Sequence, residues 1–245
     1  MRKKIIAANW KMNTTLADAH VLADGVRRET EHFEKIEIVL CPPTIWLTEL
    51  ARNLPVGSLA HLMLGAQNMY VEDKGAFTGE TSPLMVKEVA EFVIVGHSER
   101  THLFHEDPEL VSGKVQAAFR HGLTPILCLG ENEQTAGSKR QLLHSLNHLV
   151  KELPHDQLDT LVVAYEPVWA IGTGKAATPE YAQDVCEALR NGLTASTRIL
   201  YGGSVTEENA ESLLDQADID GLLIGGTSLK LKPFITICRI ADQLS

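Results

Sequence analysis

The stretch LVVAYEPVWAIGTGKAATPEYAQDVCEALR, residues 161–190, contains one complete strand-to-helix unit. Residues 161–165 are continuously apolar, which predicts a strand buried on both faces. A single carboxylate, Glu166, follows this run. Further on, Thr178-Pro179 predicts a capped helix start, and apolar positions then recur at helical spacing at Tyr181, Val185, Ala188 and Leu189. The stretch therefore predicts a β–α unit with an acid at the end of its strand.

Similar apolar runs recur along the whole chain, at residues 5–8, 36–40, 62–66, 92–95, 125–129, 161–165, 198–201 and 221–224. Helical periodicity lies between them, clearest around Leu142, Leu146 and Leu149. Ser82-Pro83 and Asp107-Pro108 predict two further helix starts. Alternating β and α segments imply parallel pairing, and eight such units predict a closed (β/α)8 TIM barrel with outer helices. With no linker or change of composition, residues 1–245 are expected to form a single domain.

Composition limits the classes of function. The chain has 245 residues, of which 44% are hydrophobic, and a formal net charge of −10. Its basic residues are scattered, so nucleic acid is excluded as an expected partner. The cysteines form no C-x-x-C pair, which is typical of a reducing compartment. No signal peptide or membrane span is evident, and we expect a cytoplasmic protein without membrane contact.

Polar residues cluster where the predicted strands end. In a parallel barrel these ends meet at one mouth, where barrel active sites are built. The strand-end groups are Asn9 and Lys11, Gln67-Asn68, His97-Ser98-Glu99-Arg100, Glu166, Gly202-Gly203-Ser204 and Gly225-Gly226. The last two groups resemble loops whose exposed amides hold a phosphate.

Each signal also has an ordinary structural interpretation. Alone, Glu166 could be an ion-pair carboxylate, His97 a hydrogen-bonded strand-end histidine and Lys11 a solvated lysine. The glycine pairs could be simple turns. Because all of these residues are expected at one mouth of the barrel, we favour a functional role over the structural interpretation for each of them.

Three other patterns are interpreted as structural. Gly172-Thr173-Gly174-Lys175 is not a P-loop, because that motif needs a glycine six residues before the lysine and Ser or Thr after it. The histidine pairs His144/His148 and His102/His105 have metal-compatible spacing but no acidic or cysteine partner that completes a set. Cys128 is expected to be a buried small side chain, since no base is indicated near it.

Taken together, the strand-end motifs closely resemble the triosephosphate isomerase family over the full length of the chain. Small departures are Thr101 and Thr227, where the family commonly has arginine and a smaller residue, and a short segment at residues 191–197. The motifs that carry the resemblance are NWKMN at 9–13, GAFTGE at 75–80, GHSER at 96–100, AYEPVWAIGTG at 164–174, YGGSV at 201–205 and GG at 225–226.

The resemblance implies interconversion of dihydroxyacetone phosphate and D-glyceraldehyde 3-phosphate through an enediolate, in glycolysis and gluconeogenesis. It implies no cofactor and no metal. Glu166 fits the base, because a carboxylate has two oxygens and can reach both carbons between which the proton moves. His97 fits the neutral donor at the start of residues 98–103; the family is itself the known example of this pair.

The same resemblance implies which residues balance the negative charge of the substrate and which bind its phosphate. Lys11 would balance the charge of the phosphate and the enediolate, and Asn9 would orient the reacting oxygens. Backbone amides near Gly172, Ser204, Gly225 and Gly226 would bind the phosphate.

Two alternatives compete with this interpretation. Another phosphate-binding barrel enzyme, such as an aldolase or an indole-type synthase, would need a Schiff-base lysine inside a strand or a second acid pair, and neither is found. A degenerate homologue retained as a binding scaffold predicts losses at Asn9, Lys11, His97 or Glu166, and all are present.

Two loops complete the predictions. Residues 67–80, from Gln67 to Glu80, form a long connection with an apolar tip at Phe77, so we expect a homodimer through this loop. Residues 167–177 are expected to be a lid that excludes water, because Pro167 restricts one end and Gly172 and Gly174 free the tip.

Overall fold

The computed structural model describes residues 2–54, 61–170 and 176–245. Within these ranges eight parallel strands close into a barrel in chain order, which confirms the predicted fold class. Strand β1 pairs with both β2 and β8, so the first and last strands lie side by side. The strands are β1 Lys4–Asn9, β2 Ile36–Cys41, β3 Leu62–Ala66, β4 Phe92–Val95, β5 Thr124–Glu131, β6 Val162–Pro167, β7 Arg198–Tyr201 and β8 Gly221–Ile224.

Helices surround the barrel and cover the outer faces of its strands. They are α1 Leu16–Thr30, α2 Thr44–Asn53, α3 Pro83–Lys87, α4 Ser98–Leu103, α5 Pro108–Arg120, α6 Ala136–Val150, α7 His155–Thr160, α8 Pro179–Arg190, α9 Ala210–Leu214 and α10 Leu231–Gln243, with 3₁₀ turns at Val168–Ala170 and Gly226–Leu229. Among the described residues no helix combines the length and the apolar character that a bilayer span requires.

The three predicted capping pairs are confirmed. The side chains of Ser82, Asp107 and Thr178 each accept a hydrogen bond from a backbone amide of the helix that follows. Proline occupies the first turn of all three helices. These ends are set locally, because the cap satisfies an amide that has no partner inside its own helix.

Strands β5 and β6 are longer than the apolar runs predicted. Gly130 pairs with Glu166 and Glu131 pairs with Pro167, so the acid lies inside the β6 ladder and not after it. The prediction ended the strand at Tyr165 because it followed apolar character. Backbone pairing with β5 continues past that point without regard to side-chain polarity.

The barrel interior is filled by alternate residues of the strands. A cluster of buried side chains includes Ile5 and Ala7 of β1, and Val162 and Ala164 of β6. Since successive strand residues point to opposite faces, the residues between them pack outward against the helices. Both faces are therefore buried, as the continuous apolar runs predicted.

Gly221 at the start of β8 provides a test of this packing. Its φ is +152°, and an added Cβ would lie 1.9 Å from the Ile5 carbonyl oxygen. We expect Gly221→Ala to lower the free energy of unfolding by more than about 3 kcal/mol, because backbone of β1 would have to move. Urea denaturation of the purified variants measures this loss.

Gly137 in α6 is the matched control. A Cβ added at Gly137 would lie 3.6 Å from the nearest atom, Thr135 Oγ1. Gly137→Ala should leave stability unchanged or raise it by up to about 1 kcal/mol. If Gly221→Ala and Gly137→Ala were equally stable, the backbone of β8 could not lie as close to β1 as the structure shows.

Candidate active site

Alternation along the strands determines which residues face the mouth of the barrel. Every second residue of a strand faces the barrel interior. After Ala7 in β1 and Ala164 in β6, the next inward-facing residues are Asn9 and Glu166. The same step in β5 and in the residues after β7 reaches Gly130 and Gly202. An added Cβ at Gly202 would lie 3.2 Å from Glu166 Cγ, so the missing side chain leaves room beside the carboxylate. The last interior layer is therefore polar and open where the layers below it are apolar.

A cavity of about 340 Å³ opens above this layer. The structure brings into its lining seven of the eight residues predicted for the site, which come from the first, fourth, sixth, seventh and eighth strand ends. They are Asn9, Lys11, His97, Glu166, Ser204, Gly225 and Gly226. Gly172, the eighth, lies outside the described residues, as does the central part of the expected lid.

Glu166 is 1% exposed and both of its carboxylate oxygens face donors. Its Oε2 accepts a hydrogen bond of 2.9 Å from the Ser98 amide, and its Oε1 lies 3.1 Å from His97 Nε2. In this stored position the carboxylate lies against the β4 end and lines the cavity.

The ring of His97 is held in one tautomer. Its Nδ1 accepts a 3.2 Å hydrogen bond from the backbone amide of Glu99 in the first turn of α4. A ring nitrogen that accepts an amide hydrogen carries no proton, so a neutral ring bears its hydrogen on Nε2. That nitrogen faces Glu166, and the imidazole can act as a neutral hydrogen-bond donor.

Lys11 sits on a constrained backbone with φ of +52°. Its amide donates to Asn9 Oδ1 at 3.0 Å, and its carbonyl oxygen accepts from Gln67 Nε2 at 2.9 Å. The ammonium Nζ lies 2.5 Å from Glu99 Oε1. A left-handed non-glycine residue persists only where its surroundings hold it, and here two side chains do so.

The glycine loops after β7 and β8 differ from each other. Gly226 begins a 3₁₀ turn directly after β8, whereas Gly202 and Gly203 are followed by a turn, and α9 begins only at Ala210. Only the second glycine pair therefore leads straight into a helical turn. The side chain of Ser204 donates to the Ala170 carbonyl oxygen at 3.0 Å, which ties the β7 loop to the β6 loop.

Sequence reasoning gave no role to three supporting groups. Gln67 bridges the first and second strand ends, because its Nε2 donates to Cys41 O as well as to Lys11 O. Glu99 pairs with Lys11, and the Ser98 amide holds Glu166. All three were noted as strand-end polar residues, but their partners are distant in sequence and no local pattern indicates them.

Glu131 at the end of β5 is buried and is a hub of hydrogen bonds from several side chains. Its Oε1 accepts hydrogen bonds from the hydroxyls of Tyr165 and Tyr181 at 2.6 and 2.7 Å, and from Trp169 Nε1 at 3.5 Å. Burial and the Glu131 carboxylate raise the pKa of Tyr165 above its ordinary value. The phenol therefore keeps its proton, and the hub anchors the 3₁₀ turn that follows β6.

Two further groups in this region keep their protons. Burial, and then the Glu166 charge, raise the pKa of the Cys128 thiol well above its ordinary value. A protonated buried thiol is a poor nucleophile, which agrees with the structural interpretation of this residue. Burial also raises the pKa of Tyr201 to about 12, and its hydroxyl accepts the Ala177 amide at 2.9 Å.

The fold and the site together define the class of protein. It is a (β/α)8 barrel with a carboxylate, an imidazole and a lysine around one small cavity at the mouth of the barrel. A sequence model of the family described as triosephosphate isomerase matches residues 4–241. Proteins named triosephosphate isomerase from two strains of Dehalococcoides mccartyi are each 45% identical, over 98% of this chain and 97% of their own. One from a third strain is 46% identical over 100% of this chain and 99% of its own. The chain belongs to the triosephosphate isomerase family.

Proposed function

We propose that this protein interconverts dihydroxyacetone phosphate and D-glyceraldehyde 3-phosphate by proton transfer through an enediolate, as its family name indicates. The observation that carries the proposal is the meeting of Glu166, His97 and Lys11 in one cavity of about 340 Å³. A base, a neutral donor and a cation are what this isomerisation needs around a small phosphorylated substrate.

Glu166 is the base in this proposal. It removes a proton from the carbon next to the carbonyl of one triose phosphate and returns it to the neighbouring carbon. Before that step its side chain leaves the Ser98 amide and the His97 ring and turns toward the cavity. The carboxylate oxygens are then free of the two donors and can accept the substrate proton.

His97 and Lys11 stabilise the charge that develops on the substrate oxygens. The Nε2 hydrogen of His97 donates to these oxygens, and the neutral ring can also pass a proton between them. Lys11 supplies a positive charge, and Asn9 holds the Lys11 amide while its side chain lines the same cavity.

Phosphate binding is assigned to backbone amides near Ser204, Gly225 and Gly226, with Gly172 as a fourth contributor. Support comes from open space at Gly226, where an added Cβ meets no atom within 4 Å. A phosphate oxygen can therefore approach that backbone closely. The expected lid over the phosphate, residues 167–177, stays a prediction.

A coupled assay tests the activity directly. Metal-stripped protein is mixed with D-glyceraldehyde 3-phosphate, and the dihydroxyacetone phosphate formed is reduced by a dehydrogenase that consumes NADH. We expect turnover without added cofactor. Turnover that depended on an added metal or cofactor, or no turnover of a well-folded sample, would contradict the proposal.

We also propose that two copies associate through residues 67–80. The base of this loop is held firmly, since Asp73 Oδ1 lies 2.7 Å from His121 Nε2 and 3.2 Å from Arg120 Nη2. Its tip carries Phe77, which is 40% exposed and packs against Tyr70 with ring centroids 4.7 Å apart and ring planes tilted by 46°. A groove beside the site has a mostly polar lining that includes the apolar side chains of Met12 and Phe104, and it offers a place for such a tip.

Phe77→Asp is expected to give monomers of low activity, because a charge would replace an aromatic side chain in the contact. Analytical ultracentrifugation and the coupled assay measure both effects. Val21→Asp is the control, since Val21 is another exposed apolar residue, on α1. A dimer that survives Phe77→Asp with normal activity would contradict this interface.

The remaining proposals concern the chain as a whole. We propose that residues 1–245 form a single domain, which is supported by the pairing of β1 with β8 across the two ends of the sequence. We also propose a cytoplasmic location, supported by the four free and buried cysteines.

A further inference from the structure

A second and larger cavity lies behind the β4 and β5 ends, on the far side of Ser98 from the substrate cavity. Its volume is about 540 Å³, within the range of small-molecule sites. Helices α4, α5 and α6 form its walls. No step proposed above uses this second cavity.

The lining of the second cavity combines apolar side chains, called its floor, with hydrogen-bonding groups, called its rim. Val111, Leu129 and Val168 contribute to the floor. His144 and His148 lie four positions apart on one face of α6, and both line the cavity. Apolar side chains with imidazoles beside them suit an aromatic ring whose edges carry donors and acceptors.

The described lining contains two carboxylates, Glu106 and Glu109, and no lysine or arginine, which disfavours an anion. Glu106 lines the cavity and is buried, and its Oε1 receives hydrogen bonds of 2.5 Å from both Lys114 and Arg100. Its Oε2 is buried with no hydrogen-bond partner among the described residues. On the rim, Glu109 lies 3.8 Å from His148 Nε2. This wall is rich in acceptors, so it favours N–H groups on an uncharged ligand.

One residue connects the two cavities. The Ser98 amide holds Glu166, while the Ser98 carbonyl oxygen accepts hydrogen bonds from His102 Nδ1 at 2.7 Å and from Thr101 Oγ1 at 3.0 Å. Both of these side chains line the second cavity. A ligand that contacts them would hold Ser98, and with it the stored position of the Glu166 carboxylate.

We propose that the second cavity is a regulatory site for an uncharged, nucleoside-sized heteroaromatic ligand that bears an amino group. The ring packs on the apolar floor, and its edges bond to the rim histidines. Binding favours the state in which Glu166 stays on the Ser98 amide. Turnover falls without competition for substrate, because a ligand shifts an equilibrium toward the state that it binds more tightly.

Adenosine is the probe. Isothermal titration calorimetry of the wild-type protein should give saturable binding with a Kd of about 0.1 mM, the affinity typical of a ligand of this size. The double variant His144→Ala/His148→Ala should weaken binding about 10-fold, because it removes two rim partners. His155→Ala, on the exposed face of α7, is the matched control and should leave Kd unchanged. Ser145→Phe, which fills the cavity from α6, should abolish binding.

Competition and kinetics separate this site from the substrate cavity. Inorganic phosphate should not displace adenosine, and saturating adenosine should lower kcat about fivefold with KM little changed. The binding measurements do not depend on the enzyme activity, so they stand even if the proposed isomerisation fails. Absence of saturable binding at 5 mM adenosine (about 50 times the expected Kd), binding that survives both cavity variants, or displacement by phosphate would each overturn the proposal.

Discussion

Replacing Glu166 with glutamine is expected to lower kcat by at least about 10²–10⁴-fold, the loss typical of a removed general base. The amide has nearly the same shape, and its oxygen can still accept the Ser98 hydrogen bond that holds the carboxylate at 2.9 Å. The barrel should therefore fold normally, as measured by circular dichroism and thermal unfolding. Steady-state kinetics in the coupled assay give kcat.

Glu207→Gln is the matched control for this change. Glu207 is exposed, and it follows the β7 loop close to the same cavity. It should retain wild-type kcat, which separates the loss of a base from a general effect of charge near the mouth. A folded Glu166→Gln protein with near-normal kcat would remove Glu166 from the role of base.

The second large effect is expected for Lys11→Met, which should lower kcat/KM by about 10²–10³-fold or more. A dianionic phosphate and a developing enediolate would lose the ammonium group that lines their cavity. Both KM and kcat should change, because the charge acts on bound substrate and on the transition state. Lys151→Met, an exposed change at the end of α6, should change neither parameter.

Loss of Lys11 should cost little stability. Its ion pair with Glu99 is partly exposed, and pairs of this kind contribute about 0–1 kcal/mol. The left-handed backbone at this position depends on Asn9 and Gln67 and not on the ammonium. A Lys11→Met protein with unchanged KM and kcat would exclude the lysine from the site, whereas a large fall in unfolding temperature would contradict this account of the loop.

Most of the fold could be predicted because parallel barrel strands are buried on both faces. Each therefore appears in the sequence as a continuous apolar run, and every predicted run overlaps a strand of the barrel. Helix starts at Ser82, Asp107 and Thr178 were equally clear, since a cap and a proline act on the nearest turn. The predicted ends of β5 and β6 came too early, because these two strands pair beyond their apolar residues.

Convergence of the candidate site residues also follows from the sequence once the strands are parallel. Asn9 and Glu166 continue the inward positions of β1 and β6, and topology brings those strand ends to one mouth. Family motifs then supplied the roles. The contacts that orient these side chains could not be predicted, because Ser98 meets Glu166 and Glu99 meets Lys11 only after distant segments have packed together.

The sequence by itself determined the barrel, its helix caps and the set of polar residues at its mouth, because these depend on local periodicity and on the order of strands. Tertiary structure alone decided three features: the stored position of Glu166, the constrained backbone of Lys11 and the second cavity beside Ser98. All three depend on how side chains from separate β–α units meet. No local pattern encodes such distances, since they follow from the packing of the whole barrel.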